Sequence, residues 1–171
     1  MNGPWLDPKP VSREGWHDGP WDTETDSEWW GVAGGVVCWV ARSNVGTLCG
    51  YVVVPPGHPW HLLHKSCVPG DVNADWGQHA DGLTWFGFDC NHDWNYGPRS
   101  EDHGSGFRRY VTIREARRMV EELAAALAAP PEDRATAVAE TRRALERESG
   151  WGSWMATAAK AWIAALDEVS A

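Results

Sequence analysis

The chain changes character at Thr112. Before this residue, short runs rich in Val, Trp and Phe alternate with stretches rich in Gly, Pro and Asp. After it, Ala-rich sequence carries apolar residues at helical spacing. Thr112 and Glu115 have the spacing of a capping box, in which each side chain bonds the backbone amide of the other residue. Strands followed by helices predict an α+β fold: a small antiparallel β-sheet with long functional loops, packed against C-terminal helices.

The boundaries of the elements follow from periodicity and from breaker residues. We expect strands over 31–41, 47–54 and 82–90, with a hairpin-like link at 42–46. We expect helices from Thr112 to the Pro130-Pro131 stop, from Glu132-Asp133 to Gly150, and from about 153 to 169. Two polar ranges, 58–81 and 91–107, have no sustained period, and loops of that length in a compact domain are usually functional.

Three parts of the chain differ in composition. Residues 1–30 form an irregular arm that holds five of the 13 tryptophans, residues 31–129 form the α+β core domain, and residues 130–171 form a C-terminal helical hairpin. Five indoles are too many for a solvated tail, so we expect the arm to wrap onto the domain or onto a second subunit. A homo-oligomer would form through this arm or through the C-terminal helices.

Charge and hydropathy exclude several classes of function. A net charge of −9 argues against a nonspecific nucleic-acid binder, which needs a cationic surface to displace counterions. No apolar run approaches the roughly 20 residues that span a bilayer. The first residues lack the basic and apolar regions of a secretory signal, so we expect a cytoplasmic protein. In that reducing compartment the four cysteines are free thiols or metal ligands.

Four potential metal ligands recur at a spacing of three residues in the first loop. They are His58, His61, His64 and Cys67. Zinc takes four nitrogen and sulfur ligands in a structural site, or three and a water in a catalytic one. The spacing matches no common zinc finger, and loop histidines more often form hydrogen bonds. The fold requires no cofactor; a zinc ion remains the alternative.

An acid/base group is the second candidate for chemistry. His79 precedes the third predicted strand, and Asp89 and His92 follow it. An imidazole oriented by a carboxylate can move a proton near neutral pH, which would make these three residues catalytic. Carboxylates at strand ends are also common turn formers. Both interpretations stay open.

Aromatic stacking is the third candidate. Flat indole and phenol rings close to imidazoles and guanidinium groups suit a flat heterocycle with a charged tail. The predicted ligand-binding set comprises His58, Trp60, His61, His79, Trp85, Asp89, His92, Trp94, Tyr96, Arg108 and Arg109. The alternative is an aromatic minicore beneath a long loop.

Three ordered motifs carry a resemblance over roughly residues 49–127. Cys49-Gly50-Tyr51-Val52-Val53-Val54-Pro55-Pro56-Gly57-His58-Pro59-Trp60-His61 is followed by Gly82-Leu83-Thr84 and by Gly87-Phe88-Asp89-Cys90-Asn91-His92. This succession is similar to a widespread group of small tailed-bacteriophage proteins with the patterns "CGYVxVPxGHPxHG", "HGGLT" and "GFDCAHAGD". The chain departs from them at Leu62 in place of Gly, in a short spacer after Thr84, and at Asp93-Trp94-Asn95. His64 and Cys67 match nothing in the patterns.

The resemblance implies a phage accessory protein that acts in the cytoplasm of an infected bacterial host. By analogy with counter-defence proteins, we expect it to bind and sequester a small nucleotide-type immune signal, cyclic dinucleotide or cyclic ADP-ribose-like, without chemistry. One alternative is a metal-dependent hydrolase or phosphodiesterase that degrades such a signal. Another is an inhibitor of a host defence enzyme, acting through the N-terminal arm.

Overall fold

The structure is a computed structural model that describes residues 11–32, 35–69, 76–80, 82–90, 97–98, 109–150 and 153–170, with the backbone alone at 76, 78–80, 153–155 and 170. Five strands precede three helices, which confirms the α+β prediction. The strands are β1 (Ser27–Gly31), β2 (Val37–Arg42), β3 (Leu48–Val54), β4 (Trp76–Ala80) and β5 (Leu83–Asp89). The helices are α1 (Ile113–Ala128), α2 (Arg134–Glu148) and α3 (Ser153–Ser170).

All neighbouring strands of the sheet are antiparallel, in the spatial order β1-β2-β3-β5-β4. The three central strands correspond to the predicted strands 31–41, 47–54 and 82–90, except that β2 begins at Val37 and Gly31 belongs to the end of β1. The sequence interpretation missed β1, which falls in the arm predicted to be irregular, and β4, which falls in the predicted loop 58–81. Both missed strands lie at the edges of the sheet, where one neighbour supplies the pairing and the apolar alternation can be weak.

One face of the sheet makes the main core against α1. Even-numbered residues of β2, β3 and β5, such as Val40, Val52 and Phe86, are buried against the apolar stripe of α1. Gly50 allows this close approach, because a methyl group there would collide with Phe88 and with Val120 of α1. Side chains alternate between the faces of a strand. Odd-numbered residues therefore lie on the opposite face, which we call the outer face.

The capping chemistry of the helices is as predicted. Thr112 Oγ1 accepts from the Glu115 amide, and the Glu115 carboxylate accepts from the Thr112 amide at 3.0 Å. The Asp133 side chain caps α2 by accepting from the Thr136 amide. The two C-terminal helices pack on one another in a second apolar cluster, formed by Leu62, Leu145, Ala159, Trp162 and Leu166.

Residues 11–26 pack on the domain, as predicted for the arm. Trp21 is buried with 1% of its surface exposed, and its indole N–H donates to the His17 carbonyl. Arg42 of β2 has a fully buried side chain that bonds Glu24 and Asp26 at 2.9 and 3.2 Å. Glu24 also accepts from the Tyr110 hydroxyl and, at 3.0 Å, from the amide of Ile113. One buried cation therefore joins the arm, the sheet and the start of α1.

Candidate functional site

The histidine-rich segment lies on the helical side of the sheet and is part of the packing there. Trp60 is 2% exposed in the main core, and its indole N–H donates to the Ala129 carbonyl at 2.7 Å. The backbone turns at residues 58–67 fill the space between the sheet and the C-terminal helices. Trp60 thus has the alternative role considered above, that of an aromatic core residue beneath a loop.

The two following histidines are also buried. Thr84 Oγ1 lies 3.3 Å from His61 Nδ1 and accepts from the Leu62 amide at 2.8 Å. His64 Nδ1 accepts from the Ser66 amide, so its proton is carried by Nε2, which lies 3.1 Å from a Glu148 carboxylate oxygen. These imidazoles position the loop against Thr84 and α2.

Leu62 is a non-glycine residue with a positive φ, of 66°. A glycine would adopt this left-handed conformation without steric cost. The Leu62 side chain is 1% exposed in the second apolar cluster, and its carbonyl accepts from the Trp162 indole at 2.9 Å. Burial of this side chain beneath α3 offsets a conformational cost of roughly 1 kcal/mol.

The buried imidazole of His64 should make stability depend on pH. Burial lowers its pKa below the ordinary value of 6.5, while Glu148 acts in the opposite direction. Burial also lowers the pKa of His58. The unfolded chain then binds more protons, so the free energy of unfolding should fall as the pH drops below about 6.5, by at most about 1.4 kcal/mol per pH unit for each histidine. Urea unfolding between pH 7.5 and 5 measures this slope.

Two variants separate the contribution of His64 to this pH dependence from that of the other titratable groups. In His64→Gln the free energy of unfolding should vary less with pH, because no imidazole is left to be protonated at this position. Glu148→Gln should make the dependence steeper, because the carboxylate that favours the protonated imidazole is lost. Equal slopes in the wild type and His64→Gln would contradict the assignment.

The four predicted zinc ligands are not gathered around one point. His58 Nδ1 accepts from the Trp60 amide at 3.3 Å. The Cys67 thiol contacts the Ala137 carbonyl and Thr141, and burial raises the pKa of that thiol. Among the described residues, no three His, Cys, Asp or Glu side chains are arranged to hold a metal ion.

The residues predicted for acid/base chemistry occupy different sets of sheet positions. Position 79 of β4 pairs with Thr84, whose side chain is buried on the helical side. Asp89 pairs with Cys49, in the odd-numbered set of the outer face. His92 lies outside the described residues, as do Trp94, Tyr96 and Arg108 of the predicted ligand-binding set. Strand register therefore does not bring positions 79 and 89 to one face.

The N-terminus of α1, where Arg109 would bind a phosphate, already contains two carboxylates of the protein. Arg109 forms an ion pair with Glu115, the capping residue. Glu24 accepts from the Ile113 amide, one of the donors that a phosphate would use. Together these carboxylates lower the tendency of this helix end to bind an anion.

The outer face carries a row of aromatic residues at directly paired positions. Trp29 of β1 pairs with Trp39 of β2, and Trp39 pairs with Tyr51 of β3. The row continues at the paired positions Gly87 and Trp76. Directly opposed side chains lie about 5 Å apart on the same face, and this brings the rings of Trp39 and Tyr51 together.

Trp39 and Tyr51 form a contacting group with Trp85, which lies outside this row opposite Val53 and is 8% exposed. We call these three rings the aromatic platform. The Trp39 and Tyr51 rings are stacked, with centroids 4.8 Å apart and planes 27° apart. Trp85 meets Trp39 edge to face at 6.4 Å and belongs to neither apolar cluster of the core. Trp39 and Tyr51 are half-buried, and the neighbouring Trp29 is 59% exposed.

Polar groups lie at one end of the platform. A hydrogen bond joins the side chains of Tyr51 and Cys49, and Asp89 is paired with Cys49 across the strands. Burial first, and then the charge of Asp89, raise the pKa of the Cys49 thiol. Cys49 is therefore a neutral thiol at pH 7 and a weak nucleophile.

The indole N–H of Trp39 is buried without a hydrogen-bond acceptor. An unsatisfied buried donor costs about 1–3 kcal/mol. The platform thus has flat aromatic faces and, at one end, the paired residues Cys49 and Asp89. Such convergence of polar groups on an apolar surface is typical of small-molecule sites.

The ligand-binding set predicted from the sequence includes Trp85 and Asp89 of this surface but not Trp39 and Tyr51. Both missed residues lie in strands that the sequence does predict. The signal that could have found them is alternation: Trp39 and Tyr51 stand between residues that are buried against α1, which places their rings on the other face.

The fold and the site define an α+β protein with one sheet face packed on a helix and an aromatic cluster on the other. No known protein family, curated protein or solved structure matches this chain. Among the described residues, no helix combines the length and the apolar character needed to cross a bilayer.

Proposed function

We propose that this protein captures a small nucleotide-type ligand by stacking its base on the aromatic platform, and holds it without chemistry. The observation that carries the proposal is the stacked pair Trp39–Tyr51 with Trp85 at its edge, on the sheet face away from the core. Trp39 and Tyr51 are half-buried on that face, whereas Trp60 and Phe86 are packed in the core against α1.

Stacking on this surface would supply part of the free energy of capture. Stacking of a base on an aromatic side chain contributes about 1–3 kcal/mol, and it tolerates any base because each has a flat π face. The platform belongs to paired strands, so its rings need little ordering on binding.

The groups near the platform support the proposal that a ligand is bound there without being chemically changed. The neighbouring Cys49 thiol has a raised pKa, and His61 and His64 are held on the other side of the sheet. The resemblance to tailed-phage proteins supports the wider role. In this role the protein would sequester a cyclic dinucleotide or a cyclic ADP-ribose-like signal as a counter-defence function in an infected bacterium.

The test is to mix the purified protein with a panel of cyclic dinucleotides, cyclic ADP-ribose compounds and mononucleotides. Each mixture is chromatographed before and after heating, with and without a chelator. Capture predicts that ligand is withheld before heating and recovered unchanged after it. A lost parent peak would instead indicate hydrolysis, and a chelator-sensitive loss would indicate a metal-dependent enzyme.

A matched pair of variants assigns the binding to the platform. Trp39→Leu should weaken binding roughly 5- to 150-fold, the equivalent of one stacking interaction. Trp30→Leu is the control, because Trp30 lies on the helical side of the sheet with Arg117 over its ring at 4.5 Å. Thermal unfolding of both variants checks that each is folded. Equal affinity of Trp39→Leu and wild type, or no ligand retained by any of them, would overturn the proposal.

A further inference from the structure

Three polar side chains are connected by hydrogen bonds where the histidine-rich segment meets α2. Ser66 Oγ lies 2.9 Å from Nδ1 of His64, and Nε2 of the same imidazole lies 3.1 Å from a Glu148 carboxylate oxygen. Nδ1 also accepts from the Ser66 amide, so this nitrogen carries no proton. The Ser66 hydroxyl therefore donates to Nδ1, and the N–H at Nε2 donates to the carboxylate.

This order of donors and acceptors is that of a nucleophilic serine, a general base and a carboxylate that orients the base. Such a triad is recognised by the geometry and the roles of its members, and their order in the chain is immaterial. In serine proteases the hydroxyl faces Nε2 and the carboxylate faces Nδ1. Here the two ring nitrogens are exchanged, and either nitrogen of a neutral imidazole can take up the proton.

The exposure of the three side chains suits these roles. His64 is 4% exposed, its ring lies 6.0 Å from that of Trp162, and its amide donates to Thr141 Oγ1 at 2.8 Å. Glu148 is partly exposed, and Ser66 is exposed. The imidazole is therefore fixed inside the protein, while the hydroxyl that it activates is open to a substrate.

A thiol beside the serine is the other potential nucleophile. The Cys67 side chain contacts the side chains of Ser66 and Thr141 and the carbonyl of Ala137. Burial raises the pKa of this thiol, so it is neutral at pH 7 and reacts weakly. The Ser66 hydroxyl has an imidazole acceptor for its proton and is the better activated of the two groups.

We infer that Ser66, His64 and Glu148 form a second functional site, which hydrolyses small carboxylic esters through an acyl-serine intermediate. Ser66 Oγ attacks the carbonyl carbon while its proton passes to His64 Nδ1. The bond from that carbon to the alcohol oxygen then breaks, and the alcohol leaves with the proton. Water attacks the acyl-serine and gives a proton to Nδ1, which returns it to Ser66 Oγ as the carboxylic acid is released.

Two positive groups near the triad favour the charge that develops during the reaction. Lys65 and Arg147 lie close enough to His64 for their charges to lower its pKa, after the larger effect of burial. The tetrahedral intermediate is an anion, and nearby cations stabilise it. An ester is the expected substrate because an alcohol is a better leaving group than an amine.

The inference is independent of the proposed capture of a nucleotide. The triad lies against α2, whereas the aromatic platform lies on the outer face of the sheet. A cyclic dinucleotide contains no carboxylic ester, so a captured ligand would still be returned unchanged.

Labelling of the full chain with a fluorophosphonate, followed by peptide mass spectrometry, tests the nucleophile. An activated serine forms a bond to the phosphorus atom of this probe and releases fluoride. The wild type should be labelled at Ser66 and should hydrolyse p-nitrophenyl acetate. Ser66→Ala should lose the label and reduce hydrolysis to background, and His64→Gln should slow both reactions roughly 10²- to 10⁴-fold, the usual contribution of a general base.

Ser43→Ala is the matched control, because Ser43 Oγ is bonded to the Thr47 hydroxyl at 2.9 Å in the turn between β2 and β3. This variant should be labelled and should hydrolyse the ester as the wild type does. Ser66 is exposed, so Ser66→Ala stays informative even if His64→Gln does not fold. Thermal unfolding identifies the folded variants.

Glu148 acts through His64, so a pH profile tests its positioning role. The base works in its neutral form, and the rate should fall as the pH drops through the His64 pKa, which burial lowers below 6.5 against the effect of Glu148. Glu148→Gln should reduce the rate and move this fall to lower pH, because the charge that raises the pKa is lost. A reduced rate with the fall at an unchanged pH would overturn this role.

The outcomes separate the inference from the proposed function. Absence of label at Ser66, or equal hydrolysis by the wild type and folded Ser66→Ala, would overturn the inference and leave His64 as a structural hydrogen-bonding group. Ester hydrolysis that depends on Ser66 would support the inference even if no nucleotide is retained, a result that would overturn the proposed capture alone.

Discussion

Replacing Arg42 with Ala is expected to lower the free energy of unfolding by about 3–5 kcal/mol, the typical result of removing one partner from a buried ion pair. The guanidinium is fully buried and bonds Glu24, Asp26 and the Gly46 carbonyl. Without it, the Glu24 carboxylate keeps its buried position beside Tyr110 and loses the cation that neutralises it. Urea denaturation at pH 7 measures the loss.

Arg118→Ala is the matched control for that variant. Arg118 lies on the exposed side of α1, with 69% of its side chain accessible, and pairs with Glu122 at 3.6 Å. An exposed pair of this kind contributes about 0.5 kcal/mol or less. If both arginine variants lose the same small amount, the Arg42 network does not hold the arm and α1 to the sheet.

Replacing Trp60 with Ala is expected to cost about 3–5 kcal/mol of stability, as for other buried aromatic side chains. The indole is 2% exposed, meets Phe86 edge to face at 6.5 Å and donates to Ala129 at the end of α1. Ligand affinity of the folded fraction should be unchanged, because the ring lies on the helical side of the sheet. Thermal unfolding and ligand titration of the same sample measure both quantities.

Trp29→Ala provides the opposite comparison, since Trp29 is 59% exposed on the outer face. Its stability should stay within about 0.5 kcal/mol of the wild type, the usual range for surface substitutions. A Trp60 variant that folds normally but loses the ligand would restore the histidine-rich loop as the binding site and contradict the assignment to the outer face.

Local signals in the sequence were enough to predict the helices and the central strands. The capping pair Thr112–Glu115, the Asp133 cap and the Pro130-Pro131 stop each act within one turn of chain, so they can be predicted without tertiary information. The edge strands β1 and β4 could not be predicted in this way. They are extended because they pair with β2 and β5, and their own composition does not indicate a strand.

The candidate site depends on contacts between residues far apart in the chain, and such contacts cannot be predicted from a single sequence. The loop histidines and Trp60 look available for a ligand, yet their partners stand 69 to 84 positions away in Ala129, Thr141 and Glu148. The platform depends on register in the same way. Trp39 and Tyr51 meet only because β2 and β3 pair with these two residues opposite one another. Alternation indicates which face a residue occupies, and register decides its neighbours.

The alternation of core and outer residues along β2, β3 and β5 also bears on how such a protein can evolve. Packing against α1 uses one set of positions, and the proposed recognition surface uses the interleaved set. Substitutions in the second set can change the molecule recognised while the scaffold stays intact. In the proposed capture role, single substitutions in this second set could therefore follow a change in the ligand without loss of the fold.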